Sequence, residues 1–134
     1  MAKFLINVYS GLATSATDQT VTMAPNDFNS TTVPGGSVLV ITGITAMCVD
    51  STAGRELTVW LVESGGSIGD SNGVVRSFAL PPKQPRAVFG AASILNGFVM
   101  TTGMELHLKA TTANKIQVNI TGVWDTDGGG QLDI

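Results

Sequence analysis

The stretch Glu56-Leu57-Thr58-Val59-Trp60-Leu61-Val62-Glu63-Ser64-Gly65-Gly66-Ser67-Ile68-Gly69-Asp70-Ser71-Asn72-Gly73-Val74 constrains this chain more than any other. Leu57, Val59 and Leu61 alternate with Thr58, Trp60 and Val62, which is the period-2 pattern of a strand. Trp60 and Val62 make the second face apolar as well, so this strand is expected to be central and covered on both sides. Gly65, Gly66 and Gly69 then supply turn geometry, and Val74 opens the next strand. The Ser64–Asp70 loop is not a phosphate cradle. It carries no Lys, and a strand rather than a helix follows it.

The same signature recurs along the chain. Lys3 to Tyr9 places Phe4, Ile6 and Val8 on one face. Val38 to Val49 is long, with Ile44, Ala46 and Cys48 sharing a face. Gly43 interrupts it and predicts a bulge or a bend from one sheet to another. Val74 to Leu80 and Arg86 to Ala91 follow. Met104 to Ala110 turns Met104, Leu106, Leu108 and Ala110 inward and Glu105, His107 and Lys109 outward. Ile116 to Trp124 turns Ile116, Val118 and Ile120 inward. Helical signal is confined to Ala91–Gly97, one turn at most. Strands about 8–14 residues apart, with turn residues between them, predict an all-β, antiparallel β-sandwich of jelly-roll-like type. The pattern does not fix strand order, so an immunoglobulin-like sandwich or an open barrel stays compatible with it.

A length of 134 residues gives a single domain, large enough to bury a core without staples. Two segments stand apart. Residues 10–36 are rich in Ser, Thr, Asn and Gly around a brief Val21-Thr22-Met23. They read either as an extended arm along a neighbour or as a two-strand excursion at the sandwich edge. Residues 125–134, with Gly128-Gly129-Gly130, read as a flexible tail whose Leu132 and Ile134 can dock. Pro81-Pro82-Lys83-Gln84-Pro85 reads as a rigid connector between strands.

Composition narrows the partners. Only 13% of residues are charged and the net charge is −3, so no basic stripe exists for phosphates and nucleic-acid binding is not expected. Low charge beside 43% hydrophobic residues suggests surface covered by a partner. No apolar run approaches the roughly 18–20 residues of a membrane span, so no membrane partner is expected. The opening apolar run stops at Asn7, which does not read as a secretory signal, so synthesis in a cytoplasm is expected. The single cysteine, Cys48, rules out an intrachain disulfide and reads as a core residue.

Residues that could carry chemistry are few. His107 is the only histidine, and no neighbouring residue marks a nucleophile or an orienting partner. The chain is therefore expected not to be an enzyme and to need no cofactor. Asp125-x-Asp127-Gly128, with Asp133 beyond, partly matches a calcium loop but lacks the later ligands. No metal site is assigned.

Several segments together resemble small accessory virion proteins of tailed bacteriophages. Val33-Pro34-Gly35-Gly36-Ser37 is similar to their lead-in to a long strand. Trp60-Leu61-Val62-Glu63-Ser64-Gly65-Gly66-Ser67 with Gly69-Asp70 is similar to their central strand and loop. Met100–Ala110 resembles their penultimate strand, with Met104 where Asp is usual. Lys115–Val123 resembles their closing strand. The resemblance implies a capsid cement or decoration protein on the virion surface, made in the host cytoplasm. Its expected partners are the major capsid protein and a second copy of itself, a dimer being favoured. Apolar residues outside the regular strands are the expected contacts: Met23, Phe28, Phe98, Leu132 and Ile134. A neck, tail or fibre protein and a carbohydrate-binding sandwich module are the alternatives. The last would use Trp124, because Trp60 is expected to be buried.

Overall fold

A computed structural model of the chain describes residues 3–23, 31–69, 72–89 and 98–125. In these residues the protein is all-β. The strands are β1 (Lys3–Leu12), β2 (Gln19–Thr20), β3 (Val38–Cys48), β4 (Arg55–Val62), β5 (Gly73–Leu80), β6 (Pro85–Phe89), β7 (Phe98–Met100), β8 (Glu105–Ala110) and β9 (Ile116–Asp125). One sheet runs β1-β9-β3-β6, with β7 also beside β3; the other runs β2-β8-β4-β5. Every strand pair is antiparallel.

The pairing traces a long ribbon folded back on itself. β1 lies against β9, β2 against β8, β3 against β6 and β7, and β4 against β5. The glycine-rich turn after β4 is the tip of that ribbon. The alternation of each strand then builds the interior. Ile6, Val8, Leu39, Ile41, Ile44, Ala46, Cys48, Ile116, Val118 and Ile120 come from one sheet. Leu57, Val59, Val75, Leu106, Leu108 and Ala110 come from the other, and all belong to one buried apolar cluster. At about 25 cal/mol per Å² of apolar surface, this burial is the main term favouring the fold.

The first sheet bends along one row. β1 carries an extra residue between Asn7 and Tyr9, and β3 carries one between Ile41 and Gly43. Both bulges flank Thr121 and Gly122 of β9, which lies between them. A Cβ on Gly122 would stand 2.6 Å from the Val40 carbonyl oxygen and 3.2 Å from Val8 Cγ2. Only glycine allows the strands to approach this closely. The interruption at Gly43 is thus a bulge, and β3 remains in one sheet.

Where they are described, residues 10–36 contribute to both sheets and to the core. β1 continues to Leu12, and β2 joins the edge of the second sheet through Gln19↔Leu108 and Thr20↔His107. Val21 N donates to Leu106 O at 2.8 Å and Val33 N to Met104 O at 3.0 Å. Val21, Met23 and Val33 are buried in the core. The polar composition of the segment masks these apolar positions, which are too few to display a period. β7, with three residues, is likewise too short to display a period. Ala91–Gly97, Phe28 and residues 126–134, including Asp127, Gly128–Gly130, Leu132, Asp133 and Ile134, lie outside the described residues.

Candidate functional site

The outer face of the second sheet carries a groove that crosses three strands. Thr58 and Trp60 of β4 form its floor, Lys109 of β8 stands on one side, and Gly73, Arg76 and Ser77 of β5 stand on the other. Gly69 also lines the hollow, which measures about 200 Å³. Register brings these groups together: Thr58 lies opposite Lys109, and Trp60 lies between His107 and Gly73.

Two local features shape this groove. The first is a bulge in β5, where Arg76 and Ser77 together face Thr58. Ser77 holds φ at +47°, a left-handed conformation that costs a non-glycine residue roughly 1–2 kcal/mol. Its N–H is satisfied by Thr58 Oγ1 at 3.1 Å. The second feature is the loop after β4, which folds back. Asn72 Oδ1 accepts from Gly69 N at 3.0 Å, and Asn72 Nδ2 donates to Ser67 O at 2.9 Å. Leu61 N donates to Asn72 O at 3.1 Å, tying the loop to the strand. Trp60 is left only 9% exposed. Positive charge, hydroxyls and an indole therefore share one hollow.

Beside the groove, His107 is clamped between two acids. Its Nδ1 donates to Asp18 Oδ1 at 2.6 Å and its Nε2 to Glu105 Oε1 at 3.0 Å. Both ring nitrogens act as donors only in the imidazolium form. Burial opposes that charge, but the hydrogen bonds and charges of Glu105 and Asp18 outweigh it and raise the pKa above the ordinary 6.5. The outward parity expected for His107 holds. Its exposure does not, because the turn before β2 folds Asp18 over the ring and leaves it buried.

A second cleft, of about 450 Å³, opens at the end of the sandwich between Gly54, Arg55, Glu56, Ala79, Leu80, Pro81 and Thr111. The turns around it are cross-tied. Arg55 Nη2 donates to Asp50 Oδ2 at 2.7 Å, and Thr52 N donates to Asp50 Oδ1 at 3.0 Å. The Thr52 backbone N–H and the Arg55 guanidinium hold the Asp50 carboxyl well below the usual carboxylate range. Thr111 N donates to Glu56 O at 3.0 Å, and Glu56 N donates to Thr111 Oγ1 at 3.1 Å.

The expected contact residues do not gather at either place. Met23 is fully buried and belongs to the core, so it is not an outward contact. Phe98 is half-buried and packs against the core from β7, opposite Ile41. Phe28, Leu132 and Ile134 lie outside the described residues. The exposed large hydrophobic side chain among the described residues is Val99, at 42%. Trp124, the residue suggested for a glycan, is half-buried against the core. Cys48 is buried, as its parity implies, and its Sγ donates to Ala53 O at 3.4 Å. The outward face of Lys109 is legible in the alternation of β8, but its juxtaposition with Arg76 and Ser77 is not, because strand register rather than local pattern brings them together.

Among the described residues no helix is long and apolar enough to cross a membrane. They also contain no group of three or more His, Cys, Asp or Glu side chains arranged to hold a metal ion. Comparison with protein-family models, curated proteins and solved structures finds no match.

Proposed function

We propose that this chain is a structural protein of a tailed-phage particle, a jelly-roll decoration protein that seats on the outside of the head and joins major capsid subunits. The carrying observation is the ribbon order, β1-β9-β3-β6/β7 over β2-β8-β4-β5. When β6 and β7 count as one interrupted strand, this order supports the reading of a rolled eight-stranded ribbon, an architecture used by capsid and lectin domains. The segments that carry the virion-protein resemblance sit at its structural joints. They are the turn before β3, the tip after β4, β7 with β8, and β9.

A holding role suits the chemistry. The only histidine of the chain has both ring nitrogens committed to carboxylates, which positions it to fasten a segment rather than to relay protons. The cross-tied turns at the Arg55 end offer a rigid surface, and rigidity lowers the ordering cost of docking. Repetition around a symmetric shell then raises modest contacts to useful avidity. Self-association into a dimer belongs to the same proposal, with Val99 as a candidate contact.

The test is sedimentation of the purified protein with heads that lack it, with bound copies counted per shell. The expected result is saturation at a number set by capsid symmetry. Saturation at a few copies would move the protein to the neck or tail, and absence of binding would overturn the proposal.

A further inference from the structure

We infer that β1 is an association edge, along which a second copy of this chain pairs antiparallel so that the first sheets of the two copies become one. This pairing rests on the self-association proposed above and gives it a surface.

Each sheet ends in two strand edges, and three of these edges carry features that discourage a further strand. β2 has only two residues. β5 breaks register twice against β4 and carries Arg76 and the left-handed Ser77. Opposite β1, the first sheet ends in the short β6 and β7, and β6 opens on Pro85 and carries Arg86. Charge, proline, bulges and shortness are the usual means of blunting an edge. β1 differs. It runs for ten residues, from Lys3 to Leu12, and beyond Lys3 it holds neither a charge nor a proline. Its bulge at Val8 leaves residues 9–12 in unbroken register with β9, and among the described residues no strand lies on its other side.

The ladder decides which groups this edge offers. Ala13 N donates to Ile116 O at 2.8 Å, one step beyond the Leu12↔Gln117 pair. In the antiparallel alternation, Leu12 and Ser10 are therefore residues whose N–H and C=O turn away from β9. The Leu12 carbonyl accepts from Tyr9 Oη at 2.7 Å. The Ser10 backbone keeps both a donor and an acceptor at the edge, and Ser10 and Asn7 are exposed. A strand satisfies such a pair of groups at the spacing of the ladder. An identical strand does so with the least conflict. Antiparallel pairing about a two-fold axis gives each copy the acceptor and the donor that the other requires. Over residues 4–12 it also sets no like charges against each other. A charged partner segment would find no counter-charge along these residues.

The test is sedimentation velocity of the purified full chain over about a hundredfold range of concentration, beside amide hydrogen exchange. The expected result is a monomer–dimer equilibrium in which the Ser10 amide exchanges more slowly as the dimer fills. Ser10→Pro removes the outward N–H, and Ser10→Lys sets a charge beside the seam. Each is expected to raise the dimer dissociation constant at least about tenfold. Thr45→Lys, two strands inward in the same exposed row, is expected to dimerise as the parent does. Should Ser10→Pro fail to fold, Ser10→Lys and the exchange of the Ser10 amide decide. A parent that stays monomeric overturns the inference, as does a dimer that withstands Ser10→Lys or leaves the Ser10 amide unprotected. A dimer lost in Val99→Ser but kept in Ser10→Lys moves the contact to the opposite edge, so that the β1 assignment falls and the self-association stands. Binding to heads is read by its own experiment and is untouched by either failure.

Discussion

At the scale of single residues, His107 shows how a side chain can be read in part. Its outward parity is legible in the alternation of β8. Its partner Asp18 is 89 positions away, and nothing in a linear pattern joins the two. The clamp gives stability a definite dependence on pH. Because the folded pKa is raised above 6.5, the contribution is complete below that value and is lost as pH rises through the folded pKa. Melting temperature should therefore fall as pH is raised from about 6 toward 9, and His107→Phe should remove most of that slope. At pH 6 the same variant should cost about 1–3 kcal/mol, since hydrogen bonds to charged groups are lost. A melting curve without that slope in the parent protein would show that the clamp holds nothing. Asp50 works in the opposite direction. Its depressed pKa means that its contribution is present above the ordinary 3.8 and is lost as pH falls. Asp50→Asn should lower the melting temperature at pH 7, and the gap from the parent should close in strong acid.

At the scale of elements, long strands were legible and short ones were not. β4, β8 and β9 announce themselves because each has several turns of period-2 alternation and a consistent inner face. β2 and β7, of two and three residues, contain too few positions to show any period. Their strand character comes from pairing with the partner strand, which a local pattern does not contain. Gly43 signalled a break in β3, but the second bulge in β1 and the glycine between them were visible only once the strands were paired. That row yields a sharp expectation. Gly122→Ala should destabilise by about 1–3 kcal/mol in chemical denaturation, because its new Cβ meets backbone rather than a flexible side chain. Thr121→Ala, next to it and exposed, should change stability by less than about 0.5 kcal/mol. Equal effects at the two positions would mean that the strands can spread at little cost.

At the scale of the whole molecule, the sandwich was legible, whereas its strand order and both clefts were not. Strand order depends on which faces find each other, and several rollings of the same ribbon satisfy one hydrophobic pattern. The groove residues come from β4, β5 and β8 and from the loop at the ribbon tip, so only the folded register unites them. The long-range pairing also sets how the molecule must assemble. Lys3 lies opposite Asp125, so the outermost pair of the ribbon closes a loop of almost the whole chain, while β4 and β5 close only their own turn. Loop-closure entropy makes the short closure the cheaper first step. Leu57→Ala, costing about 2–5 kcal/mol, should mainly slow folding, whereas Val118→Ala should mainly speed unfolding. Stopped-flow chevrons with the opposite assignment would place the nucleus at the ends. If the ribbon zips from its tip, β9 is both made after the other described strands and paired after them. A chain still on the ribosome then holds β1 without its partner until β9 has emerged, with an open edge ready to pair with a neighbour's.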